Sequence, residues 1–308
     1  SNDDRREFLK KMGTLPAAMA VAGSGVAASA NAVEETRLPQ IKLGPHSVSR
    51  LICGANPFNG GSHLSCFVNR QMREYYTPEQ ILKTLGRCQE VGVNCWQSGG
   101  GALELYRRLI DGGGKMHFIS PEAEGSKNIE RLQQAGCIGI AHHGEVTDGL
   151  FKSGQIDKVN EFLKKIRDTG LQVGVSTHMP DVVDTIESKG WDLDYYMTCI
   201  YERHRSEAEL EKLLGQAPIP VGEVYLPKDP PRMFKAIRQT ERTCLAFKIL
   251  AAGRLSDRRQ WVERAFRETL ESIKPSDAVI VGMYDEYTDQ AADNAAMVRR
   301  FGSGKVAG

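Results

Sequence analysis

The chain has 308 residues, 41% of them hydrophobic and 26% charged, with a formal net charge of +1. That balance describes an ordinary globular chain with a core of normal size, and it excludes the basic surface that nucleic-acid binding needs. Seven cysteines, an odd number without Cys-x-x-Cys spacing and mostly inside apolar runs, read as buried thiols rather than a disulfide frame.

The first residues carry a pattern of their own. Arg5-Arg6-Glu7-Phe8-Leu9-Lys10 is followed by a weakly apolar Ala/Gly/Val stretch and the small-residue run Ala28-Ser29-Ala30-Asn31-Ala32. A paired arginine, a modest apolar region and an Ala-x-Ala exit resemble a twin-arginine translocation signal, which the export machinery reads and which is then removed. The expected boundaries are a signal over 1–32 and a domain over 33–308, with a periplasmic or exported location. Pro16, Gly23, Ser24 and Gly25 make the stretch too short and too polar to span a bilayer. The route carries proteins already folded, which reconciles reduced core cysteines with export and allows a cofactor to travel inside.

From Arg37 onward, short apolar runs alternate with amphipathic helical segments, with no Pro/Ser-rich linker to divide them. Eight runs read as strands: 50–54, 94–97, 117–120, 137–141, 172–177, 195–200, 245–250 and 278–282. Thr77-Pro78-Glu79-Gln80 has the form of a capping box with Pro at the first helical position, and Gly92 ends that helix. Ile156, Val159, Leu163 and Ile166 trace one helical face stopped by Gly170, and Trp261, Ala265 and Leu270 trace another before Pro275. Eight strands with helical crossovers, and no Gly-rich phosphate turn after the first, predict an α/β (β/α)8 TIM barrel. The connections 56–76 and 201–229 are unusually long and fall on the C-terminal face, where they are expected to cap the barrel mouth. The second holds a capping box at Ser206-x-x-Glu209 and an extended stretch from Val221 to Leu226.

The run from Leu43 through Arg50-Leu51-Ile52-Cys53-Gly54 to Phe58 resembles the opening hairpin and first strand of the aldo-keto reductases. Gly92-Val93-Asn94-Cys95-Trp96-Gln97, Gly174-Val175-Ser176-Thr177, Phe247-Lys248-Ile249-Leu250-Ala251-Ala252-Gly253 and Val281-Gly282 with Asp293-Asn294 follow in the order of that superfamily over roughly 260 residues. The resemblance implies hydride transfer to or from a nicotinamide cofactor and an Asp-Tyr-Lys-His proton relay. Three of those four positions depart from the pattern: Gln97 stands for the Asp, Ala102 for the Tyr, and Phe118-Ile119-Ser120-Pro121 lacks the Lys. His142 occupies the His position. A phenol is a poor acid near neutral pH without a neighbouring ammonium, so the usual relay cannot operate. For the cofactor the resemblance implies Ser176, Thr177, Phe247, Gly253, Gly282 and Asn294. Asp285 and Glu286, where a cation would grip a 2′-phosphate, favour NAD over NADP.

Polar residues gather at the expected strand ends: Asn56, Asn59, Gln97, Glu122, His142, His143 with Glu145, His178 and Lys248. Gln97, His142, His178 and Lys248 are the candidate catalytic set, expected to face one cavity. His142, His143, Glu145 and His178 are also ligand types for a divalent metal. Trp96 should face away from Gln97 and pack, and Tyr106, among leucines, reads as a packing residue. His63 and Arg203-His204-Arg205 read as solvated loop charges. The leading reading is an NAD(P)-dependent oxidoreductase acting on a sugar-like hydroxyl or carbonyl. One alternative is a non-redox carbohydrate isomerase or lyase using His142, His178 and Lys248, with or without a metal; another is a non-catalytic barrel that binds a small ligand.

Overall fold

A computed structural model describes residues 38–123, 127–203, 205–219 and 223–303. The expected signal over 1–32 and its boundary with the following domain lie outside the described residues.

A short hairpin, β1 (Gln40–Leu43) with β2 (His46–Ser49), turns at Gly44, whose φ of 56° lies in the region that glycine tolerates best. Eight parallel strands follow and close on themselves: β3 (Leu51–Gly54), β4 (Cys95–Gln97), β5 (His117–Glu122), β6 (Gly139–His142), β7 (Gln172–Thr177), β8 (Tyr195–Cys199), β9 (Thr243–Phe247) and β10 (Ala278–Gly282). β10 pairs with β3 through Val279 to Gly282 against Leu51 to Gly54, which completes the ring. The fold is a (β/α)8 barrel, as the alternation of elements predicts.

Strand parity sorts the side chains into two cores. Ile52, Cys95, Ile119, Tyr195, Leu245 and Ile280 point inward and form one cluster with Ile41, Leu43 and Val48 of the hairpin, which stops the N-terminal end of the barrel. Tyr195 fills the axis because its neighbours are small: a Cβ on Gly174 would come within 2.4 Å of the Tyr195 ring. The glycine of the Gly174-Val175-Ser176-Thr177 motif is thus required by packing. Alternate residues pack outward against the helices. Trp96 lies 5.2 Å from Phe118, ring centre to ring centre, and Phe118 stacks on Tyr106 at 4.7 Å. The Tyr106 hydroxyl donates to the Met116 carbonyl at 3.0 Å, which makes it a packing residue.

The helix Pro78–Glu90 begins with the Thr77 hydroxyl accepting from the Gln80 amide, the forward half of the expected box, while the Gln80 side chain donates to the Tyr75 hydroxyl instead of returning to Thr77. The Ser206–Glu209 capping box forms in both directions at the start of Glu207–Leu214. Two expectations need correction. Trp261, assigned to a buried helical face, is 36% exposed, and Phe266 and Thr269 bury that face of Arg259–Ser272 instead. The seventh barrel strand ends at Phe247, three residues before its apolar run does, because Lys248, Ala251 and Ala252 adopt positive φ values of 59°, 50° and 54°. Ile249 and Leu250 are apolar for burial in that turn rather than for pairing. Among the described residues all seven cysteines are free, and only Cys66 is exposed. No described helix is long and apolar enough to cross a membrane.

Candidate active site at the C-terminal rim

The strands deliver their last side chains to the C-terminal rim, and a cleft of about 310 Å³ opens there beside β3, β4, β9 and β10. Gln97, Phe247, Lys248, Gly253 and Gly282 line it together with Asn56 and Tyr284. Its volume is of the size that holds a small molecule or part of a cofactor. Gly282 serves the wall of the cleft, since a Cβ there would meet Pro57 Cδ at 2.5 Å.

His178 follows β7 and stands edge-on to Phe247 at 5.4 Å between ring centres. Its Nδ1 lies 2.7 Å from Asp148 Oδ2, and its backbone N–H donates to the same carboxylate at 3.1 Å. Asp148, on the helix Gly144–Lys152, also accepts from the Thr177 hydroxyl at 2.5 Å. This buried carboxylate therefore fixes the His178 ring in one orientation. Ser176 lies two residues below on the same inward face and is buried. A Cβ on Gly144 would come 2.9 Å from Ser176 Oγ and 3.1 Å from His178 Cε1, so that helix can start close to the histidine only because Gly144 has no side chain.

His142 corrects the expectation of one shared cavity: like His178, it is not among the residues that line the cleft. It pairs in register with Glu122 on β5, and its Nδ1 lies 2.7 Å from Thr147 Oγ1 while its ring sits edge-on to Phe162 at 5.2 Å. Those partners belong to helices outside the barrel, so His142 is turned from the axis by strand parity. His143, one residue on, has the opposite parity and approaches His178; burial holds its imidazole below the ordinary pKa. Thr177 points outward to Asp148, and Asn294 is buried within the helix Gln290–Phe301, so neither lines the cleft. Glu122 Oε1 accepts from the Gly100 amide and from Ser120 Oγ, both at 2.8 Å, which makes it a brace for the turn after β4. Among the described residues no group of three or more His, Cys, Asp or Glu is arranged to hold a metal ion.

The capping loops contribute what sequence reading missed. Lys248 Nζ pairs with Glu223 Oε1 at 3.0 Å, and the same oxygen accepts from the Tyr201 hydroxyl at 2.7 Å. His63, from the other long connection, meets Glu223 Oε2. Burial alone would raise the Glu223 carboxyl, but the Lys248 charge and the Tyr201 and Lys248 hydrogen bonds outweigh it and hold its pKa below the ordinary value. Burial, with the Glu223 charge and the hydrogen bond to it, raises the Tyr201 phenol, which therefore stays protonated. Burial also keeps His63 below its ordinary pKa, against the pull of Glu223. Arg203 reaches both Glu145 and Glu223, and Arg205 pairs with Asp229 at 2.6 Å in a buried setting. These loop charges are bound, not solvated as expected; His204 lies outside the described residues. Asp285, expected near the cofactor, instead accepts from Thr84 Oγ1 at 2.9 Å and from the Tyr76 hydroxyl at 2.9 Å, whereas Glu286 stays exposed.

No known family's sequence model matches the chain, and no curated protein matches it. Among solved structures it is similar to phospho-2-dehydro-3-deoxyheptonate aldolase from Thermotoga maritima, at a TM-score of 0.50 and 11% identity over 86% of this chain and 72% of that one. Glycerol dehydrogenase from Gluconobacter oxydans is also similar, at 0.47 and 13% over 87% and 97% of the two chains. At such identities the likeness is one of fold.

Proposed function

We propose that the chain is an exported enzyme of the aldo-keto reductase type, which moves hydride between a nicotinamide dinucleotide and a sugar-like hydroxyl or carbonyl compound. The observation that carries this reading is the cleft beside β3, β4, β9 and β10, with the flat face of Phe247, the Gln97 amide and the bare backbone of Gly282 on its walls. These residues fit the nicotinamide half of such a cofactor. Lys248 is the one charged residue among the described lining residues. Glu286, exposed after β10 where a cation would grip a 2′-phosphate, favours NAD over NADP.

When bound, the nicotinamide supplies or accepts the hydride. The chain's own residues must then handle the proton. His178, edge-on to the cleft residue Phe247 and held through Nδ1 by Asp148, is the group we assign to exchange a proton with a substrate hydroxyl. Lys248, which lines the cleft, supplies a donor that orients a substrate oxygen and stabilises negative charge developing on it. The paired Lys248 is a less apt Schiff-base amine than a positioned cation.

Titration of the purified full chain with NADH and NADPH, followed by nicotinamide fluorescence, tests the reading. NADH should bind, NADPH should bind more weakly, and Phe247→Ala should weaken NADH at least about tenfold. Absence of binding by either nucleotide removes the oxidoreductase reading and leaves the isomerase or lyase alternative built on His178 and Lys248.

A further inference from the structure

The densest charge on the rim surrounds Glu223. Its Oε1 accepts from Tyr201 at 2.7 Å and from Lys248 at 3.0 Å, with Arg203 Nε 3.5 Å away, while His63 meets Oε2. Arg254 donates to the Glu223 backbone carbonyl at 2.6 Å and lays its guanidinium 5.3 Å above the Tyr201 ring. Two permanent cations, Lys248 and Arg203, thus converge on one carboxylate, with a third, Arg254, on the backbone of the same residue; Arg203 also reaches the half-exposed Glu145. Arg203 Nε and Arg254 Nη2 are buried without a hydrogen bond, as are Glu223 Oε2 and, nearby, His143 Nδ1. Two guanidinium nitrogens are thus left without an acceptor in this arrangement, and Lys248 opens the cluster onto the cleft.

We propose that this cluster is a subsite for an anionic group on the substrate, a carboxylate or phosphate monoester carried by a sugar, and that Glu223 occupies it when no substrate is bound. Assigning the anion to the substrate rests on the enzyme reading above; the existence of the subsite does not. The residues come from three separate segments: His63 from the loop after β3, Arg203 and Glu223 from the loop after β8, and Lys248 and Arg254 from the turn after β9. Exchange of Glu223 for an incoming anion conserves the charge of the cluster, so the cations are never left buried and uncompensated.

Calorimetric titration of the full chain with D-gluconate, D-glucose 6-phosphate, D-glucose and inorganic phosphate tests the proposal, using wild type, Glu223→Gln and Arg203→Gln. The charged sugars should bind at least tenfold more tightly than glucose, and whichever of the two binds better identifies carboxylate or phosphate as the natural group. Glu223→Gln should tighten the charged ligands about tenfold and leave glucose unchanged, whereas Arg203→Gln should weaken the charged ligands alone. A glutamate that merely staples the loops gives the opposite sign, because its loss would loosen the rim and weaken every ligand. Equal binding of glucose and gluconate, or Glu223→Gln without tighter anion binding, overturns the subsite. If Glu223→Gln fails to fold, the loss in Arg203→Gln and its absence for glucose still decide the matter. If no sugar binds, tighter binding of inorganic phosphate by Glu223→Gln supports the subsite and its absence overturns it. NADH binding is read separately, so either proposal can fail without the other.

Discussion

The two ends of the barrel are made by the same strands and solve opposite problems. At the N-terminal end the hairpin lays Ile41, Leu43 and Val48 across the opening, all buried in the inner cluster. Arg50 is buried there too, yet each of its three side-chain nitrogens is met by a carbonyl: Nε by Asp277 at 2.9 Å, Nη1 by Gly302 at 2.5 Å and Nη2 by Lys274 at 2.9 Å. At the C-terminal end, non-glycine residues take left-handed conformations, each costing about 1–2 kcal/mol, and buried guanidinium nitrogens lack partners. Backbone strain persists only where the rest of the structure over-determines it, and here it gathers at the rim. The floor holds the barrel together; the rim spends part of that stability on a prearranged polar site.

The largest expected break in this contrast is Leu43→Ala. Leu43 is 1% exposed within the inner cluster, and its truncation should cost about 2–5 kcal/mol in urea denaturation while NADH affinity of the folded protein stays unchanged. A floor mutation that altered ligand binding would show the two ends to be coupled. Asp148→Asn should have a smaller effect on stability, about 1–2 kcal/mol, since the amide oxygen can still accept from Thr177. Turnover should fall far more than stability does, because the His178 ring loses its charged anchor. Equal losses in both would mark the pair as structural.

The smallest effect is on pH. His63, His117 and His143 all have folded pKa values lowered, chiefly by burial, from an ordinary value of 6.5. Above pH 6.5 both folded and unfolded imidazoles are neutral and pH has no leverage through them. Below it the unfolded chain takes up protons that the folded chain refuses, so stability falls as the pH drops from 6.5 toward the folded values. Urea midpoints at pH 8 and pH 5.5 should show this decline, and His143→Gln should reduce it. An unchanged slope would mean that the His143 environment admits the charged ring.

Much of the fold could be read directly. Eight apolar runs and the Thr77 and Ser206 caps rest on local rules, and each is present; the hairpin at Gly44 was implied by the family resemblance. The error at β9 arose because Ile249 and Leu250 are as apolar as strand residues; hydrophobicity reports burial, not backbone angle. At the site, Gln97, Phe247, Lys248, Gly253 and Gly282 were legible as strand-end residues and share the cleft. His142 was legible as a strand-end residue but not in direction, because a one-residue difference in where β6 ends exchanges the roles of His142 and His143. Glu223 carried no signal beyond being an acid downstream of Arg203-His204-Arg205.

Sequence alone determined the barrel, since the alternation of apolar runs and amphipathic helices is a property of neighbouring residues and survives without any knowledge of contacts. Only the tertiary structure decided which charges meet, as His63, Glu223 and Lys248 lie 160 and 25 residues apart along the chain and become neighbours through closure of the ring. Local periodicity fixes a residue's face within its own element. The partner across a loop depends on how every strand between them is tilted and paired.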